Sequence, residues 1–268
     1  MEKKVVLITG GSSGIGKSIG LFLKSKGYTV YGSTRNASKY PDFMDFELLE
    51  LEVRDAASIA AAVKRLIDKE GRIDLLINNA GVGITGAIEE TPIKEIDNAF
   101  DVNFNGPVRM MQAVLPQMRE QGSGLIINIT SIAGYMGLPF RGIYSASKGA
   151  LEIMTEALRM EVRAFGVEVV NLAPGDFATN IAAGRYHVPV KEDPIYPKYA
   201  ESLDLINAHV SSAGDPEQVA RKVFSILSER RPKVHYTVGT FTQRFSIILK
   251  KILPDKWYES LLLKHYKL

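Results

Sequence analysis

Thr9-Gly10-Gly11-Ser12-Ser13-Gly14-Ile15-Gly16 is the stretch from which the rest of the chain can be read. It follows Lys4-Val5-Val6-Leu7-Ile8, apolar at every position after the lysine, and it opens a segment of helical period over 14–26. A short apolar run that ends in glycines reads as a buried strand. Glycines between a strand and a helix allow a tight turn, close approach of the backbone to a pyrophosphate, and packing of helix on sheet. The unpaired N–H groups of the helix start, with about half a positive charge, favour an anion there. The stretch therefore reads as a dinucleotide cradle. A serine-hydrolase elbow is excluded, because Gly11-Ser12-Ser13-Gly14 lacks the Gly-x-Ser-x-Gly spacing.

The same alternation runs outward from this turn. Short β-branched runs at 4–9, 28–34, 47–53, 73–78, 124–130, 167–173 and 234–238 alternate with helical segments near 14–26, 55–70, 93–121, 143–165 and 215–229. Runs apolar on both faces belong to a parallel sheet covered on each side. The expected fold is α/β: one doubly wound parallel sheet of about seven strands with helices on both faces. Asp215-Pro216-Glu217 heads the last of these helices with a capping aspartate and a first-turn proline. Residues 176–212, with Pro189, Pro194 and Pro197, are too long for an ordinary connection and read as an irregular substrate loop or lid. The catalytic domain is expected over 1–240, followed by a basic tail over 241–268.

Composition narrows the class. Of 268 residues, 46% are apolar and 24% charged, which excludes a disordered or collagenous chain, and the length suffices for a core without staples. There is no cysteine, so disulfides, thiolate metal sites and cysteine nucleophiles are excluded. His187, His209, His235 and His265 stand apart without metal-ligand spacing, and no metal is expected. No membrane-spanning run or signal peptide is seen, so a cytoplasmic location is expected. The net charge of +3 is too small to argue for nucleic acid. Residues 230–268, however, hold nine Lys/Arg against two Asp/Glu.

The Gly-x-x-x-Gly-x-Gly spacing, Asn78-Asn79-Ala80-Gly81, Ser131, Tyr144-Ser145-Ala146-Ser147-Lys148, and Pro174-Gly175 with Thr179 occur in the order and at the spacing of one family. The chain resembles the short-chain dehydrogenase/reductase family over about 3–240, including members acting on hydroxysteroids, retinol or acyl-glycerol-type lipids. The resemblance implies a Rossmann fold. It also implies an NAD(P)(H)-dependent oxidoreductase that interconverts a secondary alcohol and a ketone or aldehyde. The cofactor would lie against Gly10, Ser12, Ser13, Gly14, Ile15 and Gly16, then Glu52 and Val53 at the adenine, then Ala80, Gly81, Tyr144, Lys148, Pro174, Gly175 and Thr179. Asn79 is left with two readings: fixing the loop beside the cofactor ribose, or a purely structural role.

Thr34 stands where members that use NAD carry aspartate, and Arg35 follows it. A guanidinium can fork onto a phosphate, and no carboxylate at this position repels one. NADP(H) is therefore expected over NAD(H), although Ser13 occupies the place where some such members add a second cation.

Tyr144 and Lys148 are one helical turn apart and share a face. A free phenol has a pKa of ~10. A cation ~4 Å away contributes about 4 kcal/mol at an effective dielectric of ~20, before screening. At about 1.4 kcal/mol per pKa unit, that can bring the phenol toward neutrality, as general acid–base catalysis requires. By resemblance, Ser131 holds the substrate oxygen, and Asn103 holds a water against the lysine. A cofactor-binding sensor or scaffold without turnover is the alternative; the complete Asn103, Ser131, Tyr144 and Lys148 set argues against it.

The substrate is expected to be a small carbonyl or alcohol compound, apolar and lipid- or steroid-like, against Phe177, Ile181, Tyr186, Val188, Ile195 and Tyr196. Phe241, Phe245, Ile248, Leu249 and Ile252 recur at helical spacing among cations, and Trp257, Tyr258 and Leu261 follow Pro254-Asp255. This basic amphipathic tail has two readings: packing on the body or a second subunit, or peripheral contact with an anionic membrane. The helices over 93–121 and 143–165 resemble the family's subunit interface, so a homodimer or homotetramer is expected.

Overall fold

A computed structural model describes residues 3–177, 184–211 and 214–268. Strand β1 (Val5–Ile8) leads through the glycine turn into α1 (Gly14–Ser25), followed by β2 (Thr29–Thr34), β3 (Glu47–Glu50), α2 (Ala56–Glu70) and β4 (Leu75–Asn78). Next come the short β5 (Ile84–Thr85), α3 (Ile93–Phe100), α4 (Gly106–Glu120), β6 (Gly124–Ile129), α5 (Gly142–Val162) and β7 (Val167–Pro174). The chain closes with β8 (Tyr186–His187), α6 (Tyr199–Ser211), α7 (Glu217–Leu227), β9 (His235–Val238), α8 (Phe241–Ile252) and α9 (Asp255–Tyr266). Seven strands form one parallel sheet in the order β3-β2-β1-β4-β6-β7-β9. The direction of winding reverses between β1 and β4. That opens a crevice beyond the carboxyl ends of these strands, where ligands of such sheets bind.

Both sheet faces are buried, and β1 shows how. Val5 and Leu7 join a core with Ile59 and Val63 of α2 and Met110 and Val114 of α4. Val6 and Ile8 point the other way, onto Ile19 and Leu23 of α1 and Val219 and Val223 of α7. Each such side chain contributes about 1.5–3 kcal/mol by leaving water. Local signals set the helix ends. The Asp55 carboxylate accepts from Ala57 N at 2.8 Å at the start of α2, and Gly71 ends it in a left-handed conformation with φ +70°. Asp215 accepts from Glu217 N at 2.9 Å ahead of α7, with Pro216 between them.

Two sequence expectations need correction. The segment 93–121 is not one helix: Asp101–Asn105 forms a wide π-type turn between α3 and α4. Pro107, in the first turn of α4, has no N–H to return to the Asn103 carbonyl, which weakens the helical ladder where the π-type turn passes into α4. Nor is 176–212 irregular throughout. It holds β8, paired with β5, and then α6, which begins just beyond Pro197 and turns Tyr199, Ser202 and Ile206 inward.

One face of the tail packs on the body. Ile247 and Tyr258 complete a small core with Ile132, Met136 and Ala173. Tyr258 Oη donates to Met136 Sδ at 2.7 Å, and Ser202 Oγ donates to the Tyr266 carbonyl at 3.1 Å. Thr240 and Gln243 form a reciprocal cap on α8, and Gln243 Nε2 donates to Asp176 Oδ2 at 2.9 Å. The other face leaves Phe241, Ile248, Ile252 and Trp257 exposed. Among the described residues, no helix is long and apolar enough to cross a membrane.

Candidate active site

A cleft of about 840 Å³ runs along the carboxyl ends of the sheet, from the exit of β2 to the start of α5. At its centre lies the glycine turn. Gly10 (φ +65°) and Gly14 (φ +53°) take left-handed conformations that disfavour side chains. A Cβ on Gly16 would lie 2.4 Å from the Gly10 carbonyl, and one on Gly11 would lie 2.6 Å from Gly32 Cα. The turn is tied down by Gly11 N donating to the Ser33 carbonyl at 2.9 Å and Gly10 N donating to Ser33 Oγ at 3.2 Å. Across from it, Asn79 Nδ2 donates to the carbonyls of Thr9 (2.9 Å) and Gly10 (3.2 Å). The N–H groups of Asn79 and Ala80 both donate to Thr9 Oγ1 at 2.9 Å. These bonds give Asn79 a structural task while it also lines the cleft.

Gly10, Ser12, Ser13, Gly14 and Ile15 line the cleft, as do Thr34, Arg35, Glu52, Val53, Ala80, Gly81, Pro174 and Gly175. Gly16 lies behind the turn, buried, and Thr179 is outside the described residues. A glycine cradle opening on a long cleft suits a dinucleotide, and these residues would hold it. The Glu52 carboxylate is turned to Arg54, at 2.8 Å from Nη2, which holds it below the usual carboxylate range. Asn36, Lys39 and Tyr40 also line this end and were not read from the sequence. Asn36 Oδ1 accepts from Ser38 N at 2.9 Å and caps a 3-10 turn over 37–39 that swings Lys39 back to the cleft. The Asn-x-Ser spacing was its signal.

At the other end the cleft is lined by Ser131, Tyr144 and Lys148. Ser131 ends the segment after β6 and caps the following 3-10 turn, its Oγ accepting from Ala133 N at 3.2 Å. Its own proton is thus left to donate. Lys148 is buried, and its Nζ donates to the Ile129 carbonyl at 2.9 Å. Burial brings its pKa down to about 8, against the opposing charge of Glu152 one turn further along α5. Asn103, fully buried in the π-type turn, stands behind the cleft rather than lining it. Its Oδ1 accepts from Val82 N at 2.8 Å, and its Nδ2 donates to the Val82 carbonyl (3.0 Å) and to Ser147 Oγ (3.1 Å). A Cβ on Gly81 would lie 3.3 Å from Asn103 Oδ1 and 3.5 Å from Lys148 Nζ, so glycine lets the loop pass between them.

His235 is not isolated as its sequence context suggested. Its ring nitrogens lie 2.8 Å from Glu152 Oε2 and 2.9 Å from Glu156 Oε1, and Tyr135 Oη also donates to Glu152 at 2.9 Å. Of the residues expected to line a substrate site, Phe177 does so; Tyr186 is taken into β8, Val188 is buried beside Gly86, Ile195 is exposed, Tyr196 packs against Phe140, and Ile181 lies outside the described residues. Arg141 and Arg185, unremarked in the sequence, line this end of the cleft.

Residues 4–187 match the family described as short chain dehydrogenase. The chain belongs to the short-chain dehydrogenase/reductase family. It is 37% identical to a 3-ketodihydrosphingosine reductase of Bacteroides thetaiotaomicron over 257 residues, covering 95% of each chain. It is 34% identical to human 17-beta-hydroxysteroid dehydrogenase type 1, covering 95% of this chain and 82% of the human one. A short-chain dehydrogenase from Streptomyces avermitilis, solved by crystallography, superposes with a TM-score of 0.81 at 32% identity over 97% of each chain. As a short-chain dehydrogenase/reductase the protein is an enzyme, an oxidoreductase acting on CH–OH groups with an NAD(P)(H) cofactor.

Proposed function

We propose that this short-chain dehydrogenase/reductase is an NADP(H)-dependent reductase of a ketone on an apolar, lipid- or steroid-like molecule. The observation that carries the reading is the convergence of Ser131, Tyr144 and Lys148 at one end of a cleft whose other end presents Arg35 and Lys39 beside Thr34. The nicotinamide, when bound, supplies the hydride. Tyr144 gives the carbonyl oxygen its proton, and Ser131 donates to the same oxygen as charge develops on it. Lys148, one helical turn from Tyr144, brings its ammonium to the same end of the cleft. Asn103 bonds both backbone groups of Val82 and so holds the 81–82 loop beside Lys148, positioning the lysine.

Arg35 and Lys39 form no ion pair with a carboxylate among the described residues, which suits the extra phosphate of NADP. The names of the two curated relatives, one a 3-keto sphingosine derivative and the other a 17-beta-hydroxysteroid, favour an apolar substrate. The enzyme works as a homodimer or homotetramer through α4 and α5, the latter leaving Ile153 and Met160 exposed. It works in the cytoplasm, with the exposed face of α8 and α9 against an anionic membrane surface.

Purified enzyme is expected to consume NADPH, followed by absorbance, with long-chain and steroid ketones. Tyr144→Phe should keep NADPH affinity while kcat falls about 10²–10⁴-fold. A wild type that binds NADPH yet reduces no ketone of a broad panel would favour the sensor reading instead.

A further inference from the structure

Five arginines of the described residues are half-buried: Arg72, Arg109, Arg141, Arg159 and Arg185. Three of them face a carboxylate, Arg72 on Asp74 at 2.6 Å, Arg109 on Asp101 at 2.8 Å and Arg159 on Glu168 at 2.8 Å. Arg141 and Arg185 face no carboxylate at ion-pair distance among the described residues, Arg141 bonding instead to the Tyr266 phenol, and residues 178–183 and 212–213 contain no acid. A charge withdrawn from water without a counter-charge is costly, and two of like sign side by side are costlier still. Arg141 and Arg185 are close enough to depress the Arg185 pKa, after burial itself.

Both line the substrate end of the cleft. The Arg141 guanidinium is 5.4 Å from the centre of the Tyr144 ring. Arg185 packs on the loop after β4, where a Cβ on Gly83 would lie 2.9 Å from its Nε, and its Nη1 is 3.5 Å from Asn207 Oδ1 of α6. The turn that delivers Arg141 is under strain. Phe140 takes φ +56°, which a bulky residue adopts only when its surroundings hold it there. Its ring packs 5.1 Å from that of Tyr199 and 6.1 Å from that of Tyr196, and its carbonyl accepts from Gly86 N at 2.9 Å. Asp176, the acid whose charge reaches Arg185, is engaged by Gln243.

We infer that Arg141 and Arg185 form an anion subsite, so that the ketone reduced here carries a carboxylate, sulfonate or phosphate a few bonds from its carbonyl. This deepens the ketone-reductase reading and rests on it. A planar guanidinium donates in a fork that matches such groups, and two of them beside the acid Tyr144 fix the carbonyl relative to it.

The test is a matched pair of ketones, 4-oxododecanoate and its methyl ester, with the ratio of their kcat/KM values as the readout. Wild type should prefer the carboxylate at least tenfold. Arg141→Gln and Arg185→Gln should each lower that ratio about 10–100-fold, the scale of a charged hydrogen bond, and Arg185→Lys should restore part of it. A wild-type ratio near one, or variants that lose both substrates equally, overturns the subsite. So does a loss of NADPH affinity in the variants, measured by fluorescence, in place of the altered ratio. If wild type reduces neither ketone, it is the reductase reading that fails, and the subsite is read separately by calorimetry. Dodecanoate binding to the NADPH-loaded enzyme, weakened in both Gln variants, supports it; no binding overturns it.

Discussion

The role proposed for Lys148 comes at a visible cost in stability. Burial holds its pKa down at about 8, below the ~10.4 of a free lysine. The folded protein therefore binds this proton less tightly than the unfolded chain does. Below pH ~8 the penalty is fully present; it is relieved as pH rises from there to above ~10.4, where both states are neutral. The difference corresponds to roughly 3 kcal/mol, partly offset in a variant that leaves the Ile129 carbonyl unpaired. Lys148→Met should thus abolish turnover and yet raise the Tm of the cofactor-free protein by about 2–6 °C at pH 7. Differential scanning fluorimetry across pH reads it. The gain should shrink between pH 8 and 10, and a variant less stable than wild type at pH 7 would remove the buried charge from the account. Tyr144, Lys148 and Ser131 were legible in the sequence because a four-residue step on a helix and a fixed strand end translate directly into geometry. Arg141 and Arg185 were not. Their meaning lies in the absence of a carboxylate partner, and sequence does not display the distances that reveal it.

At the scale of elements, the proposed preference for NADP(H) rests on the exit of β2. Thr34 is buried there, Arg35 is exposed beside it, and the capped turn over 37–39 adds Lys39. On that reading, Thr34→Asp would place a carboxylate beside the cations proposed to take the 2′-phosphate, where it could instead bond two ribose hydroxyls. The expected result is a fall of about 10–1,000-fold in the NADPH-to-NADH ratio of kcat/KM, because a carboxylate repels the phosphate and weakens its hydrogen bonds to the neighbouring cations. An unchanged ratio would take the β2 exit out of cofactor selection. The strands themselves were readable, since runs such as Val5–Ile8 are apolar on both faces and could be nothing but central strands. The π-type turn hid inside a helical pattern, since Pro107 in the first turn of α4 is as compatible with a helix as Pro116 further along it. The β5–β8 pair is two residues long, too short for any period to show. Helix α6 was masked by the prolines that precede it, although Tyr199, Ser202 and Ile206 follow a helical step.

The whole molecule is electrostatically divided. Nine of its Lys/Arg and only two of its Asp/Glu fall within 230–268, and the inward face of that segment is already committed to the body through Ile247, Tyr258 and Tyr266. What remains outward is Phe241, Ile248, Ile252, Trp257 and Leu261, among Arg244, Lys250, Lys251, Lys256 and Lys264. Apolar side chains ringed by cations on two short helices suit the boundary of an anionic bilayer, where each nearby cation contributes about 1 kcal/mol and salt screens it. The chain has a single tryptophan, Trp257, and it is 67% exposed on this face, so its fluorescence reports on the tail alone. Vesicles containing phosphatidylserine should shift its emission to the blue at low ionic strength, and salt should reverse the shift. Replacing Lys251 and Lys256 together by Gln should weaken vesicle affinity about 10–30-fold. Emission that stays unmoved by anionic vesicles in dilute buffer would instead assign the exposed face to a second protein surface. A shift that is equal with neutral phosphatidylcholine would leave the cations without a part in it.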